Sequence, residues 1–343
     1  MTVVVRSDAG PEIGTGHIVR CAALAHLAML RGHDAKIVGT GVDHVLAMWL
    51  QERGIELVTC YGVSRPTDAE RTSRYTKDLV ESDWLVVDHY GLDASWETSV
   101  DKGAGRLLVI DDLADRRHAC DALLDVGMHT VNGNRYAKLV GSETKLFFGP
   151  PYALIRDEFD EVQPRQRSGV VDRILVYVGG GSKSGSVLRT IALALESADF
   201  SEISVIFLAS EEELNEIADL VVRNQNFKGV SPMVDMPVLL DWADLVIGTC
   251  GTSTWERLLL GVPTMCLVTA ENQRSDAELL AAAGATLNLG KSESLRMRDI
   301  VAVMMDLRES PSSVKAMSAA GLEIMKGRVS ARKELLDLFA TSR

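Results

Sequence analysis

The stretch that decides the fold runs from Thr2 to Leu30 and reads TVVVRSDAGPEIGTGHIVRCAALAHLAML. Its β-branched run predicts a strand at Val3–Arg6, and the helical spacing of its later apolar residues predicts a helix near His17–Arg31. The connecting loop holds three glycines and a proline, so a ligand can approach its backbone closely. A strand, a glycine-rich loop and a helix in this order are typical of the first unit of a parallel α/β sheet.

The same alternation of short apolar runs and helical patterns continues along the chain. In the first half we predict further strands at Ala35–Val38, Glu56–Val58, Trp84–Val87 and Leu107–Ile110, with helices near Asp43–Glu52, Ala69–Glu81 and Ala94–Lys102. The segment Asp160–Asp172 is polar and unpatterned, as an interdomain linker would be. The alternation then restarts, with strands at Ile174–Val178, Ile203–Leu208, Leu245–Ile247 and Thr264–Val268 and helices near Ser186–Ser197, Glu212–Asn224, Thr252–Leu260 and Asp276–Ala283.

This pattern predicts two Rossmann-like domains, at residues 1–160 and 170–325. A chain of 343 residues is long enough for two domains of roughly 150 residues each. Residues 326–343 are expected to form a helix, near Ser330–Phe339, that packs back on the first domain. The expected fold class is therefore α/β, with a ligand-binding cleft between two Rossmann-like domains.

The composition excludes several classes of partner. Hydrophobic residues make up 46% of the chain and charged residues 24%. No apolar run reaches the roughly 18 residues that span a bilayer, so we expect no membrane insertion. A formal net charge of -12 argues against a nucleic-acid partner. The five cysteines are odd in number and scattered, and the start lacks the basic segment of a signal peptide, so we expect a reducing, cytoplasmic compartment.

The loop before the first helix carries Gly14, Gly16 and His17. It is not a dinucleotide-binding fingerprint, because Val19 stands where the third glycine should be. Arg20 lies three residues after His17 and shares its helical face. A histidine in the first turn meets the positive end of the helix dipole, which favours a neutral ring that can accept a proton. His17 is therefore either a general base or a residue that only bonds a loop carbonyl.

Acidic residues follow two further strands of the first domain. Asp88 ends one strand, and Asp111 and Asp112 follow the next. Because the carboxyl ends of parallel strands meet at one edge of the sheet, we expect these carboxylates to lie close together. They can form a cation site, accept hydrogen bonds from sugar hydroxyls or orient His17. A metal is the weaker choice, since aspartates after strands often cap helices instead.

The strongest feature of the second domain is GTCGTSTWER, at residues 248–257. A strand ends in glycine, and the hydroxyls of Thr252, Ser253 and Thr254 open a helix, so amides and hydroxyls converge on a spot that suits a diphosphate. Glu256 lies one turn further, where a carboxylate can accept both hydroxyls of a ribose. The alternative is a capping threonine and a surface glutamate.

A second glycine-rich loop in this domain, GGGSKS at residues 179–184, follows the strand predicted at Ile174–Val178. We expect Gly180 and Gly181 to face the same cleft. The loop is similar to a Walker A loop only superficially, because Ser182 stands where a glycine should precede Lys183.

Taken together, these motifs resemble those of the UDP-sugar hydrolase family of pseudaminic acid biosynthesis, which cleaves UDP from a 2,4-diacetamido-2,4,6-trideoxyhexose. The resemblance covers nearly the whole chain. It rests on IGTGH with RC at residues 13–17 and 20–21, VDHY at 87–90, DDLA at 111–114, CD at 120–121, YALIR at 152–156 with Phe159, GTSTWE at 251–256 and NQ at 272–273. It implies a GT-B architecture, shared with the glycosyltransferase that makes lipid II. Lys183 departs from the family, which usually has an acidic residue there.

The resemblance also implies roles for individual residues. His17 matches the catalytic histidine that positions or deprotonates water, and Tyr90 and Asn272 match supporting active-site residues. Glu256 matches the ribose ligand, and Gly251–Thr254 matches the diphosphate site. The family reaction is implied to need no metal or other cofactor and to invert the anomeric carbon. The other residues expected to bind substrate or nucleotide are Gly14, Gly16, Arg20, Asp88, Gly180, Gly181 and Gln273.

Three functional hypotheses remain open from the sequence. The leading one is a hydrolase that breaks the anomeric C–O bond of a UDP-sugar. A GT-B glycosyltransferase would use the same nucleotide site with a sugar or lipid acceptor, and would release UDP only when the acceptor is added. A non-catalytic nucleotide-sugar-binding protein would bind UDP without turning over any UDP-sugar.

Overall fold

The structure is a computed structural model. It describes residues 1–10, 13–59, 65–129, 135–179, 184–197, 200–231 and 234–340. The chain divides into two compact units. One consists of Met1–Asp157 together with Gly327–Arg343, and the other of Glu158–Lys326.

The first unit is built on a parallel sheet. Its strands are β1 (Thr2–Ser7), β2 (Asp34–Gly39), β3 (Glu56–Thr59), β4 (Trp84–Asp88), β5 (Arg106–Ile110), β6 (Ala122–Asp125) and β7 (Lys145–Phe148). They lie in the order β3-β2-β1-β4-β5-β6-β7, and every described pair is parallel. The chain runs from β1 to the edge at β3 and restarts beside β1 at β4. This reversal creates a topological switch point between β1 and β4, where sheets of this kind bind ligands.

Helices connect the first strands. They are α1 (Gly16–Met29), α2 (His44–Glu52), α3 (Arg65–Thr76) and α4 (Ala94–Ser99). Asp43 begins α2 by accepting a hydrogen bond from the backbone N–H of Leu46 at 2.8 Å, and Asp93 begins α4 in the same way. The buried core between sheet and helices includes Val4, Leu85, Val87, Trp96, Leu107, Leu123 and Tyr136.

The second unit repeats this topology. Its strands are β8 (Arg173–Tyr177), β9 (Ser204–Leu208), β10 (Phe227–Val230), β11 (Leu245–Thr249), β12 (Thr264–Val268) and β13 (Leu287–Lys291). Their order is β10-β9-β8-β11-β12-β13, with every described pair parallel. The corresponding switch point lies between β8 and β11.

Helices connect the successive strands of the second unit, and two more follow β13. They are α5 (Ser184–Ser197), α6 (Glu211–Asn215), α7 (Ala218–Arg223), α8 (Met236–Trp242), α9 (Ser253–Leu259), α10 (Arg274–Ala282), α11 (Met297–Glu309) and α12 (Pro311–Ile324). The core of this unit is a separate cluster of buried side chains that includes Val176, Leu188, Ile191, Phe207, Ile247, Leu267 and Ile300.

The end of the chain packs on the first unit. After α12 comes α13 (Arg328–Leu336), followed by a short 3₁₀ turn at Asp337–Phe339. The indole N–H of Trp84 donates to the carbonyl of Leu338 at 3.2 Å, and the rings of Trp84 and Phe339 lie 5.7 Å apart. The amino end of β4 is thereby covered by a segment that follows it by more than two hundred residues.

The predicted strands are confirmed, each within two residues of its expected ends. The sequence did not predict β6, β7, β10 and β13. These strands span four or five residues and several contain lysine, asparagine or glycine, so they show no clear period. Pairing with a neighbouring strand holds them in place, which local sequence does not reveal.

Two predicted helices are wrong in their extent. The helix expected at Glu212–Asn224 is divided into α6 and α7, with the break at the completely buried Ile217. The helix expected at Ala69–Glu81 is α3, which starts earlier and ends at Thr76. The hydroxyl of Thr76 donates to the carbonyl of Asp101 at 2.6 Å, a tertiary contact that fixes the end of the helix.

Candidate functional site

The polar residues of the first unit gather at its switch point. Strand β1 is followed by Asp8, β4 ends at Asp88, and β5 is followed by Asp111 and Asp112. Helix α1 begins beside them, and His17 is its second residue. The carboxylates and the histidine therefore share the carboxyl edge of the sheet, as their positions in the sequence predict.

His17 is held by Asp88. Its Nδ1 lies 2.6 Å from Oδ1 of Asp88, and the residue is 8% exposed. Nη2 of Arg20 lies 3.1 Å from the same Nδ1. A guanidinium only donates hydrogen bonds, and a protonated Nδ1 also donates, so the two nitrogens form no hydrogen bond when Nδ1 carries the proton. The carboxylate decides the tautomer, because an unprotonated Nδ1 would set two acceptors 2.6 Å apart. The proton of a neutral ring therefore sits on Nδ1, and Nε2 keeps the lone pair that can accept a proton.

Asp88 is the centre of this cluster. Arg20 donates to it from both Nε and Nη2 at 2.6 Å, and the thiol of Cys21 donates at 3.4 Å. Burial alone would raise the pKa of Asp88, but the charge of Arg20 and the hydrogen bonds from Arg20 and His17 hold that pKa well below its usual range. Asp88 is therefore ionised, and of the three roles expected for the acidic residues it orients His17.

The ring of Tyr90 packs against the ring of His17. The two ring centroids are 4.7 Å apart with an interplanar angle of 84°, an edge-to-face contact. Burial first, then the nearby carboxylate of Asp112, raises the pKa of Tyr90 well above its usual range. Nη1 of Arg20 donates to the same Asp112 carboxylate at 3.2 Å. Tyr90 therefore keeps its proton and serves as a hydrogen-bond donor.

A second polar network surrounds Asp8, which follows β1. The guanidinium of Arg6, 2% exposed, binds Asp8 and also donates to Asp68 from Nε at 3.1 Å. Nδ1 of His89 accepts a hydrogen bond from the backbone N–H of Gly91, so the proton of a neutral His89 ring lies on Nε2. This Nε2 lies 3.1 Å from Oδ2 of Asp8. Sequence reasoning missed this network, although a charged residue inside the apolar run of β1 was a signal that Arg6 has buried partners.

Asp111 belongs to a third network rather than to the cluster around Asp88. Arg116 lies 2.8 Å from its Oδ1, and Tyr136 donates to its Oδ2 at 2.9 Å. His118, fully buried in its side chain, lies 2.6 Å from Glu97 and 3.8 Å from Asp111. These contacts fix the loop after β5 and give Asp111 a structural role.

Three loops meet at the carboxyl edge of the second unit. A methyl group placed on Gly251, in the loop after β11, would lie 3.7 Å from the side-chain nitrogen of Gln273, which follows β12. A methyl group on Gly179, after β8, would lie 3.8 Å from the hydroxyl of Thr249. Gln273 is held in turn by the N–H of Thr269, which donates to its Oε1 at 2.9 Å. The loops expected to bind the nucleotide therefore surround one position at this switch point.

A buried arginine that the sequence analysis does not single out lies behind the loop after β11. Arg257 is 1% exposed, and its Nη2 donates to the carbonyl of Thr249 at 2.6 Å and to the hydroxyl of Thr254 at 2.7 Å. Glu256 is also buried, at 5% exposure, and is not the surface glutamate of the alternative interpretation. Thr252 precedes α9 without a side-chain capping bond, so capping does not explain it.

The remaining expected residues are placed as follows. Gly14, with φ +77°, pairs its backbone with Gly10, and Gly16 is the first residue of α1. Ser253 is the first residue of α9, and Asn272 lies exposed in a 3₁₀ turn at Glu271–Gln273. Gly180 and Gly181 lie outside the described residues. The structure brings together His17, Arg20, Asp88 and Tyr90 in one unit, and Gly251, Thr254 and Gln273 in the other; the cleft between the domains stays a prediction.

Within the part of the chain that the structure describes, no group of three or more His, Cys, Asp or Glu side chains is arranged to hold a metal ion. No described helix combines the length and the apolar character needed to cross a membrane.

Comparison with known proteins relates each part of the chain to sugar enzymes. The pattern of the glycosyltransferase family 28 C-terminal domain matches residues 175–334. A UDP-2,4-diacetamido-2,4,6-trideoxy-beta-L-altropyranose hydrolase of Campylobacter jejuni is 24% identical over 285 residues, which cover 83% of this chain and 97% of the relative. An uncharacterised protein of Methanocaldococcus jannaschii is 22% identical over 285 residues, but the match spans 80% of this chain and only 57% of that protein.

The fold itself is shared with glycosyltransferases. The crystal structure of MurG from Acinetobacter baumannii superposes with a TM-score of 0.65, covering 98% of this chain and 99% of that one, at 14% sequence identity. The fold class expected from the sequence, two parallel-sheet α/β domains of the Rossmann type as in GT-B glycosyltransferases, is confirmed.

Proposed function

We propose that this protein is an enzyme that acts on a UDP-sugar and hydrolyses its anomeric C–O bond. The observation that carries the proposal is the contact of His17 with Asp88, which leaves Nε2 as a proton acceptor at the switch point of the first unit. The likeness to the Campylobacter jejuni hydrolase, which extends over 97% of that protein, supports the choice of substrate class.

In the proposed reaction, Nε2 of His17 takes a proton from water as the oxygen attacks the anomeric carbon. The bond from that carbon to the diphosphate oxygen breaks, and UDP leaves with the bonding electrons. Asp88 stabilises the imidazolium that forms, and Tyr90 packs edge-to-face against the same ring. A single displacement of this kind inverts the anomer, as in inverting glycosidases.

The leaving diphosphate is assigned to the loops of the second unit. Gly251 allows close approach of backbone amides, and Gln273 offers a neutral side-chain donor. Thr254 closes the same turn by donating its backbone N–H to the carbonyl of Gly251 at 2.9 Å, and Glu256 is proposed to bind the ribose. Asn272 and the loop with Gly180 and Gly181 complete the proposed substrate contacts. No step of this scheme needs a metal ion.

The test is a screen of UDP-sugars, including UDP-2,4-diacetamido-2,4,6-trideoxyhexoses, for UDP release without any acceptor, followed by turnover in ¹⁸O-water. Label on the anomeric oxygen of the released sugar is the expected result. Label in the nucleotide would mean attack at phosphorus and would refute the role given to His17.

A glycosyltransferase is the second candidate, because residues 175–334 match a glycosyltransferase domain. It uses the same nucleotide site and differs in its acceptor. UDP release that appears only when a sugar or lipid acceptor is added would establish the transferase and exclude the hydrolase.

A further inference from the structure

Arg257 is a buried cation that forms no salt bridge with a carboxylate of the described residues. Its Nη2 donates to the carbonyl of Thr249 and the hydroxyl of Thr254, both neutral acceptors. Among the described residues, its Nε and Nη1 have no hydrogen-bond partner, and no carboxylate forms a salt bridge with it. A guanidinium that is only 1% exposed normally has a counter-charge, because burying an unpaired charge is costly.

The backbone around Arg257 is shaped to admit its side chain. A methyl group on Gly248 would lie 2.5 Å from Nη1 of Arg257 and 2.6 Å from the carbonyl oxygen of Tyr177. Only glycine leaves room for the guanidinium at this point of β11. The position of the charge is therefore fixed by the fold and is not an accident of one side-chain rotamer.

The guanidinium lies directly behind the loop that joins β11 to α9. It holds Thr249 at the start of this loop and Thr254 at its end, so Gly251, Thr252 and Ser253 form a span braced from behind. Within this span, a methyl group placed on Gly251 would lie 3.7 Å from the side-chain nitrogen of Gln273. A positive charge in this place acts through low-dielectric protein on whatever occupies the loop.

We propose that Arg257 is the positioning residue of the diphosphate site: it braces the loop after β11, and its unpaired charge favours the anionic part of the nucleotide over the neutral nucleoside. This inference rests on the proposed function, since it takes the nucleotide to bind at this loop. It adds a source of phosphate selectivity that does not touch the ligand and that the motif GTSTWE alone does not reveal.

The experiment measures affinity by calorimetry for uridine, UMP and UDP, three ligands that differ only in phosphate content. With Arg257→Gln, UDP affinity should fall by about tenfold or more, UMP affinity by less, and uridine affinity by less than about twofold. Arg257→Lys keeps the charge and should retain the UDP-to-uridine ratio within about threefold. If the glutamine variant fails to fold, the lysine variant provides the test. A UDP-to-uridine affinity ratio that falls by more than about threefold despite the retained charge overturns the proposal.

The matched control is Arg173→Gln, which removes the same charge at the opposite end of the sheet. Arg173 begins β8 and pairs with Asp244, just before β11, so its loss should leave all three affinities unchanged. Equal losses for uridine, UMP and UDP in Arg257→Gln would show a brace without charge selectivity and would overturn the inference alone. A wild-type chain that binds no UDP would overturn the proposed function as well.

Discussion

Replacing Asp88 with asparagine is the most informative test of the proposed base. The side chain of Asp88 is completely buried and receives hydrogen bonds of 2.6 Å from His17 and, twice, from Arg20. Asparagine has nearly the same shape but no charge, and one of its two polar atoms is a donor. It must therefore turn an N–H toward groups that also donate.

Two effects follow from this change, one on stability and one on catalysis. Removing one partner of a buried ion pair costs about 3–5 kcal/mol, and we expect the lower end because Arg20 keeps Asp112 at 3.2 Å. For catalysis, His17 loses the acceptor that fixes its tautomer and stabilises the imidazolium. Losses of this kind lower kcat by about 10²–10⁴-fold, or roughly 3–5 kcal/mol of barrier.

The assay combines urea unfolding, followed by circular dichroism, with initial rates of acceptor-free UDP release. Asp83→Asn is the matched control, because Asp83 precedes the same strand at its other end and accepts the backbone N–H groups of Thr2 and Val80 at 2.7 and 2.9 Å. The control should lose about 1–3 kcal/mol of stability and keep kcat within about twofold.

The pH dependence gives an independent readout of the same group. The pKa of Asp88 is lower in the folded chain than in the unfolded one, so its contribution to stability is present above about pH 4 and is lost as the pH falls further. Asp88→Asn should therefore show a shallower loss of stability in acid. A folded Asp88→Asn protein with kcat within threefold of wild type would refute the assignment of Asp88 as the group that orients His17.

Four further outcomes are expected. His17→Gln should lower kcat by about 10²-fold or more and leave UDP affinity within a few-fold; wild-type turnover would return His17 to a structural role. Glu256→Ala should weaken UDP binding by about 1–3 kcal/mol in calorimetry, whereas an unchanged Kd would place the ribose elsewhere. Treatment with EDTA should leave activity intact. Loss of activity in EDTA that added magnesium restores would contradict this prediction. Against the opposing effect of burial, the nearby carboxylates of Asp111 and Glu97 raise the pKa of His118 to about 9, so its stabilisation is complete below about pH 6.5 and is lost as the pH rises through 9. His118→Gln should remove this alkaline loss from thermal unfolding curves; an unchanged profile would assign the loss to other groups.

Much of the fold is determined locally and is legible in the sequence. The run Val3–Val5 and its counterparts are β-branched and apolar because both faces of a parallel sheet are covered, so each strand is a short continuous apolar segment. The loops that follow such strands necessarily share one edge, and this is why His17, Asp88 and Gly251 could be named as candidate site residues from their positions after strands.

The tertiary structure decided which of these residues meet. Seventy-one positions separate His17 from Asp88, and no local period reports that the carboxylate reaches Nδ1 and fixes the proton there. The same holds for Asp111, which the sequence groups with Asp88 but which His118, Arg116 and Tyr136 engage instead. Side-chain direction at the end of a strand depends on packing against neighbouring elements, and that information is spread over the whole chain.

Arg257 shows the same limit most clearly. In the sequence it is one charged residue in an amphipathic helix, where a solvated position is the usual expectation. Its burial follows from Gly248, nine positions earlier, which opens the space beside β11 for the guanidinium. The sequence alone determined most of the strands, the loops that follow them and the residue types at the two sheet edges. Which charges are paired or oriented is a property of three-dimensional packing, because it depends on atoms brought together from distant parts of the chain.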